Sequence, residues 1–211
     1  MSCGSNLVVK HRFRFASWNI GSLTGKIMEL IDVMRKRRIN VAGRGGVSIV
    51  VDKDLKDDIV EVKRLRDRIL AIKLVLGDEV INIVCAYAPQ AGLDDRVKVQ
   101  FWEDMDELIQ GLSQRKKIIF GGDLNGHVGK GRRGFEEVHR GHELGERNAK
   151  GTSMLDFAIA YDLCIVNTFF EKRYEHVVTY KSGLHVTWRP FHTLTFPDLG
   201  EVTQARYLLE N

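Results

Sequence analysis

The chain has 211 residues, with 32 Lys and Arg against 28 Asp and Glu, a net charge of +4 and 44% hydrophobic residues. That length suits one domain with a buried core, the apolar fraction excludes wholesale disorder, and three prolines among 20 glycines exclude collagen-like and Pro-rich chains. No apolar run reaches the roughly 18 residues of a membrane span. The start MSCGSNLVVK reads as no secretory signal, and Cys3, Cys85 and Cys164 are too few and too scattered for a disulfide framework, so a reducing compartment, nuclear or cytoplasmic, is expected.

Residues 13–20 alternate and are aromatic-rich, which predicts a strand. Ile27, Leu30, Ile31 and Met34 then fall on one helix face, and the following run Arg35 to Arg38 reads as cations complementing the end of that helix. A strand is expected from Ile39, cut short by Gly43-Arg44-Gly45-Gly46, and another from Val47. Ile69 to Ala88 reads as a long hairpin turning at Gly77-Asp78-Glu79. Residues 94–112 form the clearest helix, capped by Asp94 or Asp95, with Val97, Phe101, Met105, Leu108, Ile109 and Leu112 on one face. A buried strand at 117–120 runs into Gly121-Gly122-Asp123. Residues 126–151 read as a polar, Gly-rich loop, followed by a helix near 152–161, a strand at 163–166 and a further strand at 177–180. Beyond His185 no period survives, and the segment has no evident place in a sheet. Helices interleave with an antiparallel hairpin, so the fold class is α/β (α+β) with mixed sheets. Residues 13–185 are the expected domain, 1–12 a tail and 186–211 a divergent segment.

The segment KIIFGGDLNGHVG is the most informative. A buried strand opens at two glycines, then presents Asp123 and, two residues on, Asn125. In extended backbone the two side chains would point the same way. A carboxylate that accepts a proton from water, beside an amide that holds the water or a phosphate oxygen, suits phosphoester hydrolysis. The plain alternative is an Asx turn satisfying local backbone. Asn19 and Tyr87 also end strands. An Asn amide oxygen suits a hard cation such as Mg²⁺, and a Tyr hydroxyl suits a phosphate, although turn geometry and packing explain such residues more often. Convergence of these strand ends at one sheet edge would make a site.

Other candidates fail on spacing. Gly21 to Lys26 is one residue short of a phosphate loop, and Ile27 stands where a hydroxyl is needed. His127, His139 and His142 lack zinc spacing and read as exposed loop histidines. Cys85 and Cys164 read as core. Lys130, Arg132 and Arg133 cluster in the Gly-rich loop and are the basic residues best placed for nucleic acid.

Taken in order, FASWNIGSLTGK, INIVCAYAPQ, QFWEDMDELI, FGGDLNGHVG, GERN and DLCIVNTFFEKR resemble the endonuclease/exonuclease/phosphatase superfamily. The closer likeness is to LINE-type retrotransposon endonuclease domains and craniofacial development protein 2-like proteins. The resemblance implies a four-layer sandwich of two mixed sheets flanked by helices, here incomplete, and hydrolysis of a DNA phosphodiester with Mg²⁺ (or Mn²⁺). It implies Asn19 at the metal, Tyr87 on the phosphate, Asp123 as the base, Asn125 orienting water, and Asn167 near the site. Two departures matter. The metal-binding Glu expected after the second core strand is missing, for no acidic residue lies between Asp32 and Asp52. The later Asp and the Asp-His pair are replaced by VTWRPFHTLTFPDLG, where His192 and Asp198 stand in no matching context. An impaired or inactive nuclease is therefore expected. The alternatives are a non-enzymatic binder of nucleic acid or protein, or an active small-molecule phosphoesterase.

Overall fold

A computed structural model describes residues 14–18, 27–44, 47–90, 92–112, 117–143, 145–171, 180–182, 185–187 and 192–195. The first layers come from the N-terminal quarter. Strand β1 (Phe15–Trp18) pairs in parallel with β2 (Val41–Arg44), which pairs antiparallel with β3 (Ser48–Val51). Helix α1 (Ile27–Arg37) connects the first two strands. Its Leu30 and Met34 pack on Ala16, Ala42 and Val50, while Arg35, Lys36 and Arg37 fill its last turn as expected. Gly43 does not end β2 but lies within it. A Cβ there would touch the ring of Phe15 at 3.4 Å and Cys85 Sγ at 3.6 Å, so the glycine lets the two sheets close.

The second sheet contains β4 (Ile59–Leu65), β5 (Ile69–Leu76), β6 (Glu79–Tyr87), β7 (Lys117–Asp123) and β8 (Cys164–Ile165). A short hairpin, β9 (Tyr180–Ser182) with β10 (His185–Thr187), stands apart from it. The last strand, β11 (His192–Thr195), inserts between β7 and β8, giving the order β4-β5-β6-β7-β11-β8. The pattern after His185 hid this strand because four residues are too few to display a period. Strand β4 was also not expected. It is an edge strand with Val60 and Val62 exposed, so its sequence lacks a clean inward and outward alternation.

Alternation on the other strands builds the layers. Ile72, Leu74, Ile81, Ile83 and Ile119 face Phe15, Val41, Ile49 and Val51 between the sheets. The opposite residues, Ile69, Ala71, Val84, Ile118 and Phe120, face helices α2 (Asp95–Gln110) and α3 (Ala149–Ala160). Phe101, Met105 and Leu108 of α2 and Met154, Leu155 and Phe157 of α3 complete that core. Asp94 caps α2, its side chain accepting from the Arg96 amide at 2.8 Å. The layers thus run α1, three-stranded sheet, six-stranded sheet, α2 with α3: two mixed sheets flanked by helices. Cys85 and Cys164 are both buried in the core. Among the described residues no helix is long and apolar enough to cross a membrane.

Candidate functional site

Strands β6 and β7 are parallel, with Tyr87 in register with Asp123. Their ends are welded by a 2.9 Å hydrogen bond from the Ala88 amide to the Asp123 carbonyl. Gly122 allows this approach, because a Cβ at that position would lie 1.9 Å from the Ala86 carbonyl oxygen. Strand β8 reaches the same edge through β11. His192 pairs with Gly122 while Leu194 pairs with Ile165, so the chain leaving β8 arrives beside the end of β7. Asn167 lies there, buried, in the 3₁₀ turn Val166–Phe169. The edge therefore gathers Tyr87 and Asp123, two of the residues the strand-end argument names, with Asn167, which that argument did not include. Asn19 lies outside the described residues, one position beyond the end of β1.

Asp123 is 2% exposed. Its Oδ1 accepts from the Asn125 amide at 3.0 Å, while its buried Oδ2 has no hydrogen-bond partner among the described residues. A buried carboxylate oxygen without a donor is costly. The extended-backbone argument for Asn125 does not hold. The chain leaves β7 by a turn, Asn125 has φ 51°, and the Asx-type bond predicted as the plain alternative is present. Asn125 still joins the site, by another route: its Nδ2 donates to the Ala88 carbonyl at 2.8 Å, which holds it against the end of β6. Tyr87 is half-buried. Its hydroxyl accepts from Gln90 Nε2 at 3.1 Å, and the Arg68 guanidinium stands 5.8 Å from its ring centroid.

The residue that sequence reading missed is Lys150. Its Nζ donates to the Pro89 carbonyl at 2.8 Å, one peptide from the carbonyl that Asn125 holds. Burial pushes its pKa below the usual lysine value, the nearby Lys98 pushes it the same way, and Asp123 pulls it back up. A signal was present in the sequence. Lys150 occupies the first turn of α3, which Asn148 caps by accepting from the Gly151 amide at 2.8 Å. A cation there opposes the helix macrodipole, and a residue that breaks a local rule often serves a site.

The Gly-rich loop is folded tightly onto the protein, though it has no helix or strand of its own. Asn148 Oδ1 also accepts from the His127 amide at 3.1 Å, and Gly126 and Gly151 bring the backbones together where a side chain would clash. Arg147 ties the loop. Its Nε donates to the Val128 carbonyl at 3.1 Å, another guanidinium nitrogen reaches the Gly131 carbonyl, and the group stands 4.4 Å from the centre of the Phe135 ring. Lys130 and Arg133, with Gly131, Gly145, Glu146 and Arg147, line a surface recess of about 440 Å³, and Arg132 is exposed beside it. Of the three histidines taken as exposed, His139 is fully buried and His127 half-buried, while His142 is exposed. The loop buries Val128 and Val138 as well, so its polar composition concealed a small core of its own.

The described donors do not make a divalent-metal centre. The ends of β6, β7 and β8 supply one acid, Asp123, and no group of three or more His, Cys, Asp or Glu side chains assembles among the described residues. Strand β2 ends at Arg44, and β3 follows with no acidic residue between them. Mg²⁺ binds through carboxylate charge with near-octahedral geometry, and the charge set beside Asp123 is a lysine.

No family model matches the chain. Craniofacial development protein 2 from Bos taurus is 23% identical over 139 residues, 66% of this chain and 23% of that protein. The homologue from Tragulus javanicus is also 23% identical, over 66% of this chain and 24% of the relative. The match thus spans about a quarter of the length of these curated relatives. Among solved structures, the endonuclease domain of TRAS1, a telomere-specific non-LTR retrotransposon, superposes with a TM-score of 0.63 at 14% identity, over 90% of this chain and 87% of that one. An AP endonuclease from Archaeoglobus fulgidus gives 0.61 at 14% identity, over 90% and 88%. D. rerio TDP2 complexed with a single-strand DNA product gives 0.55 at 11% identity, over 85% and 82%. With two mixed sheets face to face and helices outside, the chain has the endonuclease/exonuclease/phosphatase fold.

Proposed function

We propose that this domain engages DNA but has lost most or all of the Mg²⁺-dependent phosphodiester hydrolysis associated with its fold. The observation that carries this reading is the isolation of Asp123. It is buried, one oxygen lacks a partner, and no group of three or more His, Cys, Asp or Glu side chains gathers around it among the described residues. In this reading Asp123 would accept a proton from water, Asn125 would hold that water and Tyr87 would meet a phosphate oxygen; the register of Tyr87 with Asp123 and the bond from Asn125 to Ala88 support it. No cluster of carboxylates for a divalent ion assembles among the described residues, and VTWRPFHTLTFPDLG stands where the resemblance puts the later Asp. Losing one positioned acid or base costs about 10²–10⁴ in rate, and losing the metal carboxylate as well multiplies that loss. The exposed Lys130, Arg132 and Arg133, pinned by Arg147, support the DNA half of the reading, since lysine and arginine contacts to phosphates supply most sequence-independent affinity.

The test is nicking of supercoiled plasmid in Mg²⁺, in Mn²⁺ and in EDTA, beside Asp123→Ala, with circular dichroism on each preparation. The expected result is a folded protein that shifts plasmid mobility and nicks no faster than the variant. Metal-dependent nicking that disappears in Asp123→Ala would overturn the reading, and another residue would then have to replace the lost Glu.

A further inference from the structure

The disagreement between the donor set and a divalent metal has a chemical counterpart in Lys150. We propose that the Lys150 ammonium is the resident cation of this centre and takes a non-bridging phosphate oxygen of a bound nucleic-acid strand, with no metal ion required. The proposal rests on the DNA-binding reading above and names the group that meets the phosphate at the strand edge.

Three observations carry it. The first is position. Lys150 and Asn125 hold the adjacent carbonyls of Pro89 and Ala88, immediately after Tyr87, so the ammonium is fixed to the same strand end as the hydroxyl and the carboxylate. One of its three donors goes to Pro89, leaving others for a ligand. The second is cost. A lysine in the first turn of a helix, half-buried and near Lys98, is opposed by the macrodipole and by like charge. Helix α3 would form more readily with an acidic residue there, so its own folding does not explain the cation. The third is charge balance. Among the described residues no cluster of three or more His, Cys, Asp or Glu gathers at the strand edge, and the Arg68 guanidinium lies 5.8 Å from the Tyr87 ring centroid. A carboxylate among cations, rather than a cluster of carboxylates, attracts an anion directly. Lysine binds phosphate as a compact point charge with rotatable donors, which suits a strand held in more than one register.

The experiment measures fluorescence anisotropy of a 5′-labelled single-stranded 12-mer of DNA, in EDTA, over a salt series. The proteins are wild type, Lys150→Gln, Lys150→Arg and, as a control, Lys53→Gln, since Lys53 is exposed on the 3₁₀ turn 53–58 far along the chain. Lys150→Gln is expected to bind about tenfold more weakly and to lower the salt slope by about 0.7, the share of one phosphate on a single strand. Lys150→Arg and Lys53→Gln should stay near wild type. A second readout uses the wild-type protein alone: the oligonucleotide should slow acetylation of Lys150, followed by mass spectrometry, without slowing that of Lys53. Equal binding by Lys150→Gln, or protection that appears only when Mg²⁺ is added, overturns the assignment. If the wild-type protein does not bind the oligonucleotide at all, the DNA-binding reading falls with it. If it binds and Lys150→Gln binds equally, only the assignment of Lys150 falls.

Discussion

The two sheets have fared differently. The six-stranded sheet gathers Tyr87, Asp123 and Asn167 at one edge, with a continuous core beneath α2 and α3. The three-stranded sheet keeps its layer, with α1 on one face and the six-stranded sheet on the other, yet β2 passes to β3 without the acidic residue that the resemblance calls for. The difference shows that packing and catalysis draw on separate residues. Burial of Leu30, Met34 and Val41 needs only apolar side chains at the right parity, whereas a metal centre needs a carboxylate at one position.

The comparison can be broken or sharpened by substitution. The largest effect is expected at the junction of loop and α3. A Cβ on Gly151 would meet the His127 carbonyl oxygen at 1.8 Å, a backbone clash that no rotamer relieves. Gly151→Ala should cost about 4 kcal/mol or more and lower Tm by roughly 10 °C in thermal unfolding. A loss of under about 1 kcal/mol would mean the loop is not held as described. Next comes a matched pair across the layers. Leu155→Ala, beneath the six-stranded sheet, should cost about 4 kcal/mol, whereas Leu30→Ala, in the small cluster under α1, should cost about 2. Denaturant unfolding of both variants checks this. Equal losses would show that the small layer is as well packed as the large one. Hydrogen exchange should agree, with amides of β1 to β3 opening before those of β5 to β7.

The smallest effect is a pH dependence confined to the α2–α3 side. Burial raises the pKa of Tyr161 above its ordinary value of 10.0; its hydrogen bond to Gln110 opposes the shift, and Asp106, which the hydroxyl contacts at 3.0 Å, adds to it. A raised folded pKa means that the contribution to stability is intact below pH 10 and is lost as pH climbs through the folded value. Tyr161→Phe should therefore flatten the alkaline fall in Tm above pH 10. An unchanged alkaline limb in Tyr161→Phe would assign that fall to other groups.

Much of the fold was legible because its elements carry strong periods. Helix α2, the β5–β6 hairpin and β7 follow directly from apolar spacing, and Asp94 and Gly77 mark the start of α2 and the hairpin turn, whereas β7 runs on through the Gly121-Gly122 pair to Asp123. Strands β4 and β11 were not legible. One is an exposed edge and the other a four-residue insertion whose place is decided by partners distant in sequence. At the site, Asp123 and Tyr87 were legible because strand ends can be read. Lys150 was not, because it reaches the edge from a helix that begins after a long loop. It left only a weak trace, a cation at the wrong end of that helix.

Strand β11 also sets a timetable. Its pairing of His192 with Gly122 joins residues about 70 positions apart, and its pairing of Leu194 with Ile165 closes the far side of the sheet. On a ribosome adding about 5–20 residues per second, β7 waits roughly 4–14 s between its own synthesis and that of its neighbour. Through that interval one side of β7 has exposed donors and acceptors and nothing to pair with. The nascent chain is thus most open to misassembly at the strand that carries Asp123, and a host with slow elongation or scarce chaperones should return more of it as aggregate.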